Sequence, residues 1–540
     1  MTTAQAIVAA LIRQGIKDIF CLPGIQNDHF FDALHARQSE LRPVHTRHEQ
    51  GAAYMALGAA MATGKPAVYC VVPGPGFLNT TAALATAQAC NAPVLALVGQ
   101  IPQRNIGRMY GLLHELPDQL AIMRQLTRWA DRIRSPSEAP AQVAEAFRQL
   151  HFGRPRPVAL ECAIDVWSRA AEFPIARGPF EPEPLAVDHE AIDKAVEALK
   201  SSVKPLIAVG GGAQGASEEV KAVAEALGAP VLAVRMGRGV LDSRHPLSIT
   251  SVAGHKLWKD CDVVLAVGTR LQVQLNQWGF DENLKIIRVD IDAEEVDRIT
   301  PPTVGITGDA AQVMRLIAGG LKGVAGKRPS RQAEIEAARE ASLSEEKQLE
   351  PQRGWVNAVR AGLPESGIFV DELTQVGYAC RVMMPVYHPR SFLTPGYQGT
   401  LGWGYGAALG VKVARPDAPV LSVNGDGGFM FNLPEISTAV RHRIPVVAIV
   451  FDDGAFGNVR RIQVNQFGNR TIASDLLNPD FVKLAQSFGA RGVKAQTPEA
   501  LTKAIRAAFE ANEPTIIHVP VGTMPDPWKF FVRGRVRGRA

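Results

Sequence analysis

The sequence predicts an α/β protein of three doubly wound domains with mainly parallel sheets. Three observations carry that prediction. Short apolar runs alternate with Ala-rich helical stretches along the chain, the pattern of βαβ units. Several apolar runs end in glycine, as in Pro205–Val209 followed by Gly210-Gly211-Gly212; such sheets bind ligands beyond the C-terminal ends of their strands. The length of 540 residues exceeds one ordinary core and suggests three or four domains of about 100–200 residues each.

The first block is residues 1–175. Its opening, MTTAQAIVAALIRQGIKDIF, has polar residues every turn and no cleavage site, so it reads as an amphipathic helix, not a signal peptide. Strands are expected at Asp18–Leu22, Ala67–Val72, Val94–Val98 and Val158–Glu161. Pro174–Val187, with Pro174, Pro179, Pro182 and Pro184, reads as a linker. The second block, residues 188–322, places strands at Pro205–Val209, Pro230–Val234, Asp262–Val267 and Lys285–Ile291. The polar stretch Gly323–Pro351 predicts a connecting helix. The third block, residues 353–522, is clearest as strand Pro419–Val423, loop Asn424–Gly428, helix Asn432–Arg441, strand Ile444–Phe451 and loop Asp452–Gly457. Blocks one and three alternate similarly, without a visible sequence repeat. Residues 523–540 form a tail.

Bulk composition narrows the function. The net charge is a mild +5, much of it on Arg533, Arg535, Arg537 and Arg539. These read as a frayed, solvated tail or as an anion-binding arm. Nothing resembles a nucleic-acid module. No run of about 18 uncharged apolar residues predicts a membrane span. Cys21, Cys70, Cys90, Cys162, Cys261 and Cys380 are scattered without a CxxC pair, which suggests buried thiols in a reducing, cytoplasmic setting.

The segment from Gly425 to Asp453 carries the chemistry. Gly425-Asp426-Gly427 and Asp452-Asp453 each follow an apolar strand and are separated by one helix. In a right-handed βαβ unit both loops emerge at the same sheet edge, so two carboxylates converge on one crevice. Gly425, Gly427 and Gly428 permit close backbone approach, and the following helix points its positive end there. Such a crevice suits Mg²⁺ bound to a diphosphate.

With 24 intervening residues, this pattern resembles the thiamine diphosphate motif, GDG then usually Asn-Asn, and its flanks resemble the acetolactate synthase-like branch. The resemblance implies that Asp426, Asp453 and the Ala455 carbonyl hold Mg²⁺, and that Phe456, Gly457 and Asn458 lie against the cofactor. Aspartate replaces asparagine at 452 and 453; the extra charge either tightens Mg²⁺ binding or leaves Asp452 outside the metal shell.

Further matches follow. Arg47-His48-Glu49-Gln50 resembles the family's RHEQ motif and implies Glu49 as the carboxyl group that activates the aminopyrimidine ring; an apolar pocket raises a carboxyl pKa, which suits that role. Val72–Asn79, with Gly76 and Asn79, resembles the SGPGATN loop. Gly399–Gly404 resembles GTMG-x-G, with the Gly399 carbonyl accepting from the 4′-amino group and Leu401 wedging the bent cofactor. Thr374 falls where the family contacts the diphosphate. Pro23 and Gly24 resemble the PGG loop that reaches into a partner's site, with Gln26, Asn27 and His29 as candidate substrate contacts. Leu113-His114-Glu115 stands where acetolactate synthases have Phe-Gln-Glu, so His114 is either a proton relay near the reacting carbon or a solvated loop residue.

The central block carries landmarks that resemble those of FAD-binding relatives (Gly210–Gly212, Met236–Gly239, Gly268–Arg270). The stretch after Arg270 and Val252-Ala253-Gly254-His255 depart from them, which leaves FAD, ADP or no nucleotide open. The family implies a homodimer or dimer of dimers with active sites between subunits, a small 2-oxo acid or α-dicarbonyl substrate, and carboligase or decarboxylase chemistry. An α-diketone lyase or hydrolase, an acyl-CoA decarboxylase, a non-catalytic thiamine-diphosphate-binding regulator and a flavin oxidoreductase are the alternatives.

Overall fold

A computed structural model describes residues 1–172 and 178–538. Within them lie three six-stranded parallel sheets flanked by helices. The first comprises β1 (Asp18–Cys21), β2 (Arg42–His45), β3 (Ala67–Val71), β4 (Val94–Gln100), β5 (Trp129–Ile133) and β6 (Val158–Ala163), in the order β2-β1-β3-β4-β6-β5. The second comprises β7 (Pro205–Val209), β8 (Val231–Ala233), β9 (Ser248–Ile249), β10 (Val263–Val267), β11 (Lys285–Asp290) and β12 (Val304–Thr307), in the order β12-β11-β10-β7-β8-β9. The third comprises β13 (Ile368–Asp371), β14 (Phe392–Leu393), β15 (Val420–Gly425), β16 (Val447–Asp452), β17 (Arg491–Lys494) and β18 (Thr515–Pro520), in the order β14-β13-β15-β16-β18-β17.

The first and third sheets share one strand order, a structural repeat that the sequence hides. Both reverse direction between their first and third strands, which opens a crevice at the strand ends. In the third domain that switch lies between β13 and β15, the strands that precede Thr374 and Asp426. In the first it lies between β1 and β3, before Pro23-Gly24 and Gly74-Pro75-Gly76. The second sheet has the dinucleotide-fold order, with its switch between β7 and β10.

The first and third domains are fused through two helices, Glu49–Thr63 and Trp403–Ala414. Both are buried almost throughout, and they cross so tightly that a Cβ on Gly58 would strike the Ala407 backbone and one on Gly410 the Met55 backbone. The small-residue sequences of both helices exist for this crossing. One apolar cluster runs through it, from Phe20 and Tyr54 to Trp403 and Val450.

Two expectations need correction. The helix that starts at the crevice is a single turn, Asp426–Phe429; the longer one begins only at Glu435, because Leu433-Pro434 restarts the chain. The tail is not a frayed arm. Arg533 pairs with Glu345 at 2.6 Å, and Arg537 reaches Asp281 at 2.8 Å and the Cys261 carbonyl, so it seals the central domain. Arg539 and Pro174 lie outside the described residues, while 178–187 has no regular structure. All six cysteines are buried and free. Among the described residues no helix is long and apolar enough to cross a membrane.

Candidate active site

Two clusters form at strand ends. In the third domain, β15 delivers Gly425 and Asp426, and its parallel neighbour β16 delivers Asp452 and Asp453. Asp426 is only 2% exposed. Burial pushes its carboxyl up to about 6, and the charges of Asp453 and Asp452 add to that against a hydrogen bond from Asn478. Asp453 is raised as well, by burial first and by Asp452. Asn478 Nδ2 bridges Asp426 Oδ2 at 2.6 Å and Asp452 Oδ1 at 2.8 Å. Asp452 moves the opposite way. Burial would raise it, yet His518 Nε2 at 2.9 Å, Asn478 and the Gly454 N–H together hold it below the usual carboxylate range.

The glycines are tight here. A Cβ on Gly427 would come within 2.6 Å of the Phe456 ring, one on Gly428 would overlap the Glu372 carboxyl group, and one on Gly457 the Asp453 carboxyl group. Ala455 is buried in the same loop and bridged to Asp475. Two carboxylates that burial and neighbouring negative charge push toward protonation form a setting that a divalent cation relieves. Among the described residues no three His, Cys, Asp or Glu side chains converge as a metal cage. A cation at Asp426 and Asp453 would complete its shell with carbonyl, ligand and water oxygens, which is the habit of Mg²⁺.

Thr374 is buried at the start of helix Gln375–Met383, beside Gly425. Asn458 Oδ1 is already engaged, by Trp528 Nε1 at 2.9 Å and by Arg461. Glu372 escaped the sequence reading. It is fully buried, its Oε1 accepts from the Gly402 N–H at 2.6 Å, and burial pushes it up to about 8. It thereby ties the end of β13 to the loop that carries Gly399, which has a positive φ of 57°, and the half-buried Leu401. Thr400 Oγ1 lies 3.3 Å from the Tyr54 hydroxyl of the first domain.

In the first domain, Glu49 opens its helix behind His48, whose Nδ1 caps the Gln50 N–H at 3.1 Å. Asn79 Nδ2 donates to Glu49 Oε2 at 3.0 Å, and Gly76 faces Glu49 Oε1. Glu435, a buried residue of the third domain, accepts from the Arg47 and His48 N–H groups at 3.1 and 3.0 Å and so fixes where this helix starts. Gly24 packs on Val72 and Pro23 is exposed beside it. His29 is exposed, whereas Gln26 and Asn27 turn inward: Asn27 donates to the Val71 carbonyl at 2.8 Å, and Gln26 contacts Leu113 and His114. His114 is therefore not a freely solvated loop histidine. Among the described residues no hydrogen bond joins the Glu49 cluster to the Asp426 cluster.

A glycine-lined acidic crevice on one doubly wound domain, a helix-opening glutamate on another and a dinucleotide-type domain between them define a cofactor-dependent enzyme. Family models specify which. Residues 1–122 match the thiamine pyrophosphate enzyme N-terminal TPP binding domain, 192–317 the central domain and 374–519 the C-terminal TPP binding domain. A probable acetolactate synthase large subunit of Methanocaldococcus jannaschii is 34% identical over 96% of this chain and 92% of its own. A probable 2-ketoarginine decarboxylase of Pseudomonas aeruginosa is 31% identical, over 96% and 94%. A sulfoacetaldehyde acetyltransferase of Castellaniella defragrans is 30% identical, over 96% and 93%. The chain belongs to the thiamine pyrophosphate (thiamine diphosphate) enzyme family, and it is a carboligase/decarboxylase of the acetolactate synthase type.

Proposed function

We propose that the protein is a Mg²⁺-dependent carboligase or decarboxylase acting on a small 2-oxo acid such as pyruvate, with active sites formed between two copies of the chain. The observation that carries this reading is the pair formed by buried Asp426 and half-buried Asp453 at the ends of two neighbouring strands. Asp426, Asp453 and the Ala455 carbonyl hold the cation. Gly425, Gly427, Gly428, Thr374, Phe456, Gly457 and Asn458 cradle the diphosphate end. Gly399 and Leu401 hold the pyrimidine end from the same domain, and Pro23, Gly24, Gly76 and Asn79 hold it from the partner's first domain. Thiamine diphosphate held there would supply a nucleophilic carbon and an electron sink for C–C cleavage.

Glu49 exchanges a proton with the aminopyrimidine, held for that by Asn79 Nδ2. His114 moves a proton at the substrate. The need for a second copy is supported by the apolar side chains exposed around the two clusters, Ile25, Met109, Tyr110 and Leu113 near one and Phe431 and Leu477 near the other. Domains at 1–175, 188–322 and 353–522 with a tail at 523–540 fit this reading, and six buried free thiols fit a cytoplasmic one.

A cavity of about 1000 Å³ lies elsewhere, at the switch point of the central sheet, against Gly210–Gly212, Gly268 and Thr269 and the cationic Arg235, Arg244 and Arg270. It suits a nucleotide phosphate, from FAD or ADP. A panel of 2-oxo acids with thiamine diphosphate and Mg²⁺, analysed by product mass, tests the reaction. Ligated or decarboxylated product that Glu49→Gln abolishes supports the proposal; turnover without thiamine diphosphate, or undiminished in Glu49→Gln, overturns it. Nucleotide released from denatured protein identifies the central ligand.

A further inference from the structure

The geometry points to Gln26 as a positioning residue that fixes the tautomer of His114 and leaves Nε2 as its proton-exchanging atom. This inference rests on the proposed thiamine-diphosphate chemistry for its purpose but not for its geometry.

Gln26 sits in the short turn after β1 and is 4% exposed. Its side chain makes two contacts, both to the loop that follows β4. Nε2 donates to the Leu113 carbonyl at 3.1 Å, and Oε1 lies 3.1 Å from His114 Nδ1. A carbonyl oxygen only accepts, so the Leu113 contact decides which end of the amide faces it. Oε1 is then forced toward the imidazole. Since Oε1 also only accepts, Nδ1 must carry the hydrogen. Neutral His114 is left with its lone pair on Nε2.

The surrounding backbone holds this arrangement under strain. His114 has a positive φ of 68°, uncommon for a residue with a side chain. Its carbonyl presses on Gly74, where a Cβ would come within 2.6 Å, and Gly76 of the same loop faces Glu49 Oε1. Non-glycine residues kept in such conformations cluster at functional sites, where surrounding contacts over-determine them. One loop thus carries both the His114 packing surface and a wall of the Glu49 pocket.

The chemistry follows from the free nitrogen. Nε2 takes a proton from solvent, which gives an imidazolium that Gln26 still orients through Nδ1–H. When the bond from the substrate carbon to its carboxylate breaks, CO₂ leaves and the electron pair stays on that carbon. The Nε2 proton then forms the new C–H bond, and neutral His114 returns with its hydrogen on Nδ1. In this scheme Gln26 touches neither substrate nor cofactor.

Selective ¹⁵N-histidine labelling tests this, with His114 assigned by its loss in His114→Asn. The wild-type spectrum at a pH where His114 is neutral should show a protonated Nδ1 and an unprotonated Nε2. Gln26→Met should lose that preference and lower kcat by about 10- to 100-fold, less than the roughly 100- to 10,000-fold that a general acid itself contributes, because His114 remains in place. Gln26→Glu keeps an acceptor for Nδ1–H but loses the donor to the Leu113 carbonyl, so it should retain the tautomer with a turnover between those of wild type and Gln26→Met. A wild-type His114 protonated on Nε2, or a Gln26→Met protein that keeps the Nδ1–H signature, overturns the inference even if every variant folds. Absence of any thiamine-diphosphate-dependent turnover in wild type, with the tautomer as stated, would instead count against the proposed function and the role of the proton, leaving Gln26's control of the ring standing.

Discussion

His518 Nε2 donates to Oδ2 of Asp452 at 2.9 Å, and this pairing gives a role to the aspartate that departs from the Asn-Asn of the motif the segment resembles. The carboxylate's other oxygen is held by Asn478 and the Gly454 N–H, so its charge is spent on β18 and the loop. Asp452→Asn should therefore change Mg²⁺ affinity by less than about 3-fold, because asparagine still offers an acceptor. Asp452→Ala frees Asn478, the group that orients Asp426, and should weaken Mg²⁺ binding by about 10- to 100-fold. Calorimetry distinguishes this from direct ligation, in which Asp452→Asn would itself be severe.

Asp426 titrates near 6 without a cation, and burial is the main reason. Mg²⁺ must displace that proton, so its affinity should fall as pH drops below about 6, by up to about tenfold per unit. The sign for the metal-free fold is opposite to that of an ordinary ion-paired aspartate. The folded pKa lies above the unfolded one, so the folded state binds the extra proton and the group's contribution to stability declines between about pH 4 and 6. Mg²⁺ titrations from pH 5.5 to 8 should show the slope, and Asp426→Asn should bind poorly at every pH.

Glu372 holds its proton to about 8, since burial opposes its charge. Its Oε2 and Asn424 Oδ1 are both buried acceptors without a donor and both flank Gly404, so a proton on Glu372 supplies what is missing. The unfolded chain ionises near 4.5, so wild-type stability should decline from about pH 4.5 to 8 on account of this group. Glu372→Gln removes that term while it keeps the acceptor for Gly402. Its melting temperature should gain on wild type as pH rises from 5.5 to 8, as calorimetric scans would record; a constant difference contradicts a neutral Glu372.

The crevice was legible because its parts are local. An apolar strand, a glycine-rich turn and an acid recur after one helix, and right-handed βαβ geometry puts both acids on one edge. The switch-point loops of the first domain were legible only through their resemblance to the family's motifs. Glu372, Glu435, Asn478 and His518 were not, because what each does depends on which backbone or side chain another element brings to it. The short edge strands β2, β9 and β14 carry too few residues to show a period. The tail misled because charge suggests solvent, whereas Arg533 finds Glu345 on the connecting helix and Arg537 finds Asp281 on the central domain, both half-buried. Nothing local marks Gly58 and Gly410 as the points where two helices cross; only the Ala407 and Met55 backbones packed against them do.

The central claim is that Asp426 and Asp453 bind one cation that holds the cofactor's diphosphate. Titration calorimetry of Mg²⁺–thiamine diphosphate into wild type and Asp453→Ala tests it most directly. The account predicts saturable binding to wild type and at least about a 100-fold loss in Asp453→Ala, with the fold intact by circular dichroism. Equal affinity in the two proteins would contradict it.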